Sequence, residues 1–258
     1  MEGAKKQSHF ILVHGACHGA WSWYKLKPLL ESAGHRVTVL DLAASGINIK
    51  DIKDVHTMHQ YTEPLLEILA ALPSGERVIL VGHSLGGLNL ALAMDKFPKK
   101  ISVGVFMTAF MPDTTHRPSY VLDQPPSSLI LEPGETTQCC QRVCRMGGFG
   151  AEREEGENER KWTNQDLELA KTLIRPGSLF IQDLAKANEF SSKGYGSVRR
   201  AYVVCNEDKG IPEEFQRWMI ENFPADDVME IKDADHMAML SKPSELCQCL
   251  LEIGRKYN

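Results

Sequence analysis

The residue types best suited to chemistry fall in one stretch, Val78-Ile79-Leu80-Val81-Gly82-His83-Ser84-Leu85-Gly86-Gly87. A Gly-x-Ser-x-Gly pattern follows a short apolar, β-branched run and precedes Leu88 to Met94, an apolar, helix-favouring segment. Strand, tight turn, helix is the setting in which this pattern presents a nucleophilic serine. A serine at such a turn takes strained backbone angles, and the residues two places either side come close in space. Gly82 and Gly86 are the residues that fit there. The turn lifts the Ser84 hydroxyl clear of the sheet. It also sets the Leu85 N–H at a helix N-terminus, where it can stabilise a developing oxyanion.

A serine alcohol is a poor nucleophile at neutral pH and needs a base, which in turn needs an acid to fix its tautomer. In sheets of this type the chain order is serine, acid, histidine, the acid and histidine each just past a strand end. The apolar runs Arg199–Cys205 and Val228–Ile231 lead into Asp208 and His236, which take those two roles. Glu207 and Asp233 are rival acids, and His116, in a proline-flanked loop, is the rival base. Upstream, the strand His9–Val13 runs into His14-Gly15-Ala16-Cys17-His18-Gly19. No Gly-Lys-Ser/Thr follows, which excludes a nucleotide P-loop. The loop reads instead as the second half of an oxyanion hole, with the Ala16 N–H facing that of Leu85. His14 and His83 read as packed histidines, and His18 as a contact to ligand. The chemistry is acyl transfer. Ser84 attacks an ester carbonyl, His236 takes its proton and returns it to the leaving alcohol, and water deacylates the enzyme. No metal or organic cofactor is required.

These groups need a scaffold that delivers strand ends to one edge. Apolar runs at 9–13, 36–40, 78–81, 101–106, 199–205 and 228–231 alternate with helical patterns. The helices are expected from Trp21 to Gly34 and over 59–72, 88–94, 163–174, 179–187, 212–223 and 243–257. Such alternation implies an α/β fold, a mostly parallel twisted sheet with helices on both faces. The exit of the 101–106 strand, Thr108 to Asp113, belongs at the edge where open α/β sheets bind ligands. Thr163 and Asp166 have capping-box spacing at the start of one helix. The core divides into 1–112 and 188–258 around an inserted cap, 113–187. Within it, 125–162 loses periodicity and carries Cys139, Cys140, Cys144 and an acidic run from Glu152, a solvated or mobile composition.

The net charge of −5, without a basic cluster, argues against nucleic acid as a partner. No apolar run reaches the roughly 18 residues of a membrane span, and the polar Met1–Ser8 is no signal peptide. Seven cysteines, an odd count, then suggest reduced thiols and a cytoplasmic location. Cys139, Cys140 and Cys144 lack a second pair at zinc spacing and read as free thiols.

Four motifs together resemble the plant methylesterase family. They are His14-Gly15-Ala16-Cys17-His18-Gly19-Ala20-Trp21, Asp41-Leu42-Ala43-Ala44-Ser45-Gly46, Gly82-His83-Ser84-Leu85-Gly86-Gly87 and Asp235-His236-Met237-Ala238-Met239-Leu240. The likeness runs over residues 8–123 and 163–257. It implies an α/β-hydrolase fold with a cap, the triad Ser84–Asp208–His236, and pocket contacts from Ala16, His18, Leu85, Phe110, Leu179 and Met237. The implied substrates are methyl esters of small plant acids, such as methyl salicylate, methyl jasmonate, methyl indole-acetate or an alkaloid ester. Family relatives are often dimers, so a homodimer is an expected partner state. Two other readings follow from the same kinship. The sister hydroxynitrile lyases carry a threonine where this chain has Gly15 and a lysine where it has Met237, and both marks are absent. A small-acid binding protein with little turnover is the other, because 125–162 departs from the aromatic-rich roof the family uses.

Overall fold

The computed structural model describes residues 7–124 and 163–257. Six runs rich in Val, Ile, Leu and Phe form one sheet: β1 (His9–Val13), β2 (Arg36–Val39), β3 (Val78–Ser84), β4 (Ile101–Ala109), β5 (Arg199–Cys205) and β6 (Asp227–Ile231). Every pairing is parallel, in the order β2-β1-β3-β4-β5-β6. The inner strands β1 and β4 are buried at every residue, which is why they read as unbroken apolar runs rather than alternating ones.

The helices are α1 (Leu26–Ser32), α2 (Met58–Ala71), α3 (Gly86–Lys96), α4 (Tyr120–Asp123), α5 (Asn164–Leu173), α6 (Ile181–Leu184), α7 (Glu213–Asn222), α8 (Ala238–Ser241) and α9 (Pro243–Tyr257). One face of the sheet packs Leu65 and Leu69 of α2, Leu88 and Ala91 of α3, and Phe215 and Met219 of α7. The other packs Leu26 and Leu30 of α1 with Leu246, Leu250 and Ile253 of α9.

Three elements differ from expectation. The helix expected from Trp21 to Gly34 is a 3₁₀ turn, Ala20–Trp23, followed by α1. Pro28 has no N–H to return to the Tyr24 carbonyl, so regular helix starts only at Leu26. It still ends at Gly34, whose φ of 91° is the left-handed cap. The 179–187 helix contracts to α6, because Phe180 before it sits at φ 52°. Strand β4 runs on to Ala109, past the expected Phe106, because Met107 and Ala109 pair with His83 and Ser84. The pairing skips Thr108, which bulges at φ 37°.

The capping box at Thr163 forms as expected: Thr163 N donates to Asp166 Oδ2 at 2.7 Å, and Asp166 N to Thr163 Oγ1 at 3.2 Å. The expected loose segment 125–162, with Cys139, Cys140 and Cys144, lies outside the described residues. Cys17, Cys205, Cys247 and Cys249 are all buried. Among the described residues there is no His/Cys/Asp/Glu group that could hold a metal ion, and no helix long and apolar enough to cross a membrane.

Candidate active site

Parallel strands end at a common edge, and Ser84, Asp208 and His236 lie at strand ends or on the loops leaving them. Ser84 ends β3 with φ 54°, half-buried, and the chain turns directly into α3. Close packing fixes the turn. A Cβ on Gly82 would lie 2.9 Å from Gly86 C and 2.7 Å from Leu90 Cδ1. One on Gly86 would lie 2.9 Å from the carbonyl oxygens of Val13 and His14. One on Gly15 would lie 2.9 Å from both Ser84 Cβ and His83 Nδ1, so the β1 loop sits against the serine itself.

The Ala16 and Leu85 N–H groups flank this point, and among the described residues neither has a hydrogen-bond acceptor. Their peptide planes are nevertheless fixed from the carbonyl side. The Ser84 carbonyl, in the same peptide as the Leu85 N–H, accepts Phe110 N–H at 3.1 Å. The Gly15 carbonyl, in the same peptide as the Ala16 N–H, accepts His14 Nδ1–H at 2.8 Å. The tautomer follows from Leu42 N–H, which donates to His14 Nε2 at 3.1 Å. A trans peptide points its N–H opposite to its C=O, so gripping one aims the other. His18 Nδ1–H donates to the Ala16 carbonyl at 2.7 Å. Burial lowers the pKa of His14 and takes that of His18 down to about 4, so both rings are neutral at pH 7.

Past β5 and β6, two loops are laced together. Glu207 N–H donates to the Ala234 carbonyl at 3.0 Å, and Asp233 N–H to Asn206 Oδ1 at 2.8 Å. This brings Asp208 and His236 into contact: His236 Nδ1–H donates to Asp208 Oδ2 at 2.7 Å, with both side chains buried. Asp208 Oδ1 accepts Gly210 N–H at 2.6 Å and Ile211 N–H at 2.9 Å, and the Thr108 hydroxyl donates to Oδ2. The proton on Nδ1 leaves Nε2 as the basic nitrogen. Burial alone would lower the pKa of His236, but the charge and hydrogen bond of Asp208, helped by Asp235, carry it above its ordinary value. The rivals lie elsewhere. Glu207 and Asp233 are exposed, and His116 is exposed and bonded to Asp113 at 2.6 Å.

The remaining pocket candidates divide. Ala16, Leu85 and Phe110 belong to the apolar cluster on the α2/α3 face, and half-buried Leu179 packs against it. Met237 is fully buried in the cluster on the α1/α9 face, and its N–H donates to Asp235 Oδ1 at 2.9 Å. Three supporting residues escaped the sequence reading. Thr108 reaches Asp208 only because of the β4 bulge. His83 donates from Nε2 to the His236 carbonyl at 2.8 Å, its ring 4.6 Å from the His236 ring. Gln216 of α7, fully buried, binds the Cys205 N–H, the Cys205 carbonyl and the Ile211 carbonyl, closing the Asp208 loop. Nothing in residue type or spacing marks these three.

A family model described as the alpha/beta hydrolase family matches residues 10–248. The chain belongs to that family. This α/β-hydrolase is 52% identical to salicylic acid-binding protein 2 of Nicotiana tabacum, covering 98% of this chain and 100% of that one. It is 53% identical to methylesterase 1 of Arabidopsis thaliana over the whole of both chains. It is 52% identical to polyneuridine aldehyde esterase of Rauvolfia serpentina over 97% of each. The crystal structure of polyneuridine aldehyde esterase superposes with a TM-score of 0.84 at 49% identity, covering 96% of this chain and 99% of that one.

Proposed function

We propose that this carboxylic-ester hydrolase is a serine methylesterase acting on methyl esters of small plant acids, with Ser84 as nucleophile, His236 as general base and acid, and Asp208 as its orienting carboxylate. The observation that carries it is the buried Asp208–His236 pair, joined through the His236 carbonyl to His83, the residue before a serine held at positive φ on a strand-to-helix turn. The relatives named esterase or methylesterase, about half identical over the full length, support the same reaction class.

Neutral His236 accepts the Ser84 proton as the hydroxyl attacks the ester carbonyl. The imidazolium is stabilised by Asp208, whose other oxygen is already engaged by two backbone N–H groups. The oxyanion forms between the Ala16 and Leu85 N–H groups, the latter strengthened by the N-terminus of α3. His236 then protonates methanol, and a water activated by the same ring hydrolyses the acyl-enzyme. Phe110 and Leu179 act as apolar contacts to the acid portion. Methyl salicylate, methyl jasmonate, methyl indole-acetate and alkaloid methyl esters are the substrates to compare.

The test is such a methyl-ester panel with wild-type and Ser84→Ala protein, following acid release. Saturable turnover of at least one ester, falling roughly a million-fold in the variant, is expected. Equal rates in the two proteins would refute the mechanism. Binding of a free acid without turnover of any ester would favour a small-acid binding protein instead.

A further inference from the structure

Three consecutive carbonyls in the β1 loop are each taken by a donor. The rings of His14 and His18 hold those of Gly15 and Ala16 from within the loop. The third, Cys17 O, accepts at 3.1 Å from the backbone N–H of Arg175, a residue 158 positions later that directly follows the C-cap of α5. Cys17 lies at φ 64°, a conformation that a non-glycine residue keeps only when its surroundings impose it. Gly177 presses on the same residue, because a Cβ there would lie 3.0 Å from both Cys17 N and Sγ.

The side chain of Arg175 explains why its backbone stays there. Its guanidinium donates to the carbonyls of Gly46 at 3.0 Å, Asn48 at 2.5 Å and Lys50 at 2.9 Å, the loop that leaves β2. That loop is tied in turn to the far end of the β1 loop. Asp41 accepts Ala20 N–H at 2.7 Å and Ile47 N–H at 3.2 Å. A planar fork with several donors can satisfy three carbonyls at fixed angles, which an ammonium on a flexible stem cannot.

We propose that Arg175 is a positioning residue for the oxyanion site: its guanidinium clamps residues 174–177 onto loop 46–50, and through Cys17 this fixes the turn that aims the Ala16 N–H. The inference rests on the reading of Ala16 as an oxyanion donor. It links the segment returning from the expected cap to transition-state stabilisation, without any contact between Arg175 and substrate.

Wild type, Arg175→Met, Arg175→Lys and Thr163→Ala, which loosens the opposite end of α5, are compared in three measurements. These are kcat and KM on p-nitrophenyl acetate, inhibition by a trifluoromethyl ketone that forms an oxyanion on Ser84, and hydrogen exchange of the amides in 14–20. Misplacing one reacting or stabilising group by about an ångström costs up to about 100-fold, so Arg175→Met is expected to lower kcat about 10- to 100-fold. KM stays within about twofold, because ground-state binding is untouched. The ketone weakens by the same factor as kcat, exchange over 14–20 accelerates, Arg175→Lys falls between, and Thr163→Ala changes none of these. Unchanged kcat with unchanged exchange would overturn the clamp. So would a KM rise at constant kcat, or an equal effect from Thr163→Ala. Wild-type protein that neither cleaves the ester nor reacts with a fluorophosphonate would refute the hydrolase reading instead. Exchange over 14–20 would then decide the clamp alone, faster exchange in Arg175→Met supporting it and unchanged exchange overturning it.

Discussion

Around Ser84 the backbone is held by close packing, whereas around Asp208 and His236 it is held by hydrogen bonds. At the serine turn, Gly15, Gly82 and Gly86 leave no room for a methyl group, and the neighbours that forbid it are mostly backbone or serine atoms. At the acid–base corner, glycine contacts matter little. Thr108, Gly210 and Ile211 feed Asp208, His83 holds the His236 carbonyl, and Gln216 closes the loop. The difference follows from the task. On the proposed mechanism Ser84 must be placed and left open to substrate, which steric walls do without covering the hydroxyl. A carboxylate and an imidazole buried together must be satisfied polar atom by polar atom, because unpaired ones are costly in an apolar interior.

The largest effect separating the two regions is expected from Asp208→Asn. The shape is kept, but Nδ1 no longer faces a charge, and kcat falls roughly 10⁴-fold. The pH profile moves as well. On the proposed mechanism activity needs neutral His236, whose pKa is raised in the folded protein, so the wild-type rate is expected to rise with pH through a midpoint above the ordinary histidine value. Removing Asp208 removes the main raising influence and leaves burial, the largest influence and a lowering one, against the smaller pull of Asp235, so the acid limb shifts to lower pH. An acid limb that stays in place would show that another group sets it.

Next in size is Thr108→Val. It deletes a hydrogen bond to a buried carboxylate, with an expected loss of about 1.5–3 kcal/mol in unfolding free energy by denaturant titration. Thr108→Ser, which keeps the hydroxyl, is expected to recover most of it. A Val variant as stable as wild type would mean the corner is held without this donor. Smallest is Gly82→Ala, where the added methyl meets Leu90 Cδ1 and the Gly86 backbone. Overpacking of this kind costs about 1–3 kcal/mol. Its mark is a kcat decrease with the pH midpoint unchanged, since the acid–base pair is untouched. A shifted midpoint would show that the two regions are mechanically coupled.

The steric half of the site was legible in the sequence because glycine announces close approach locally: Gly82 and Gly86 flank Ser84 within four positions. The pairing of Asp208 with His236 was legible by chain order and strand ends. The hydrogen-bonded half was not. Thr108 points at Asp208 because β4 slips one residue against β3, and no local pattern encodes a slip between strands. His83 read as packing alone, although its Nε2 holds the His236 carbonyl 153 positions away. The helix expected from Trp21 becomes regular only at Leu26, because Pro28 has no N–H for the Tyr24 carbonyl.

Local chemistry in the sequence therefore determined which segments become strand or helix, where the chain must turn tightly, and which serine is raised at the sheet edge. Those features depend on neighbours a few residues apart. Tertiary structure alone decided the supporting partners: that Thr108 meets Asp208, that His83 holds the His236 carbonyl, and that Arg175 reaches Cys17. Hydrogen bonds are short-ranged and directional, so pairs 100 or more residues apart exist only once parallel packing has set every strand end at a common edge.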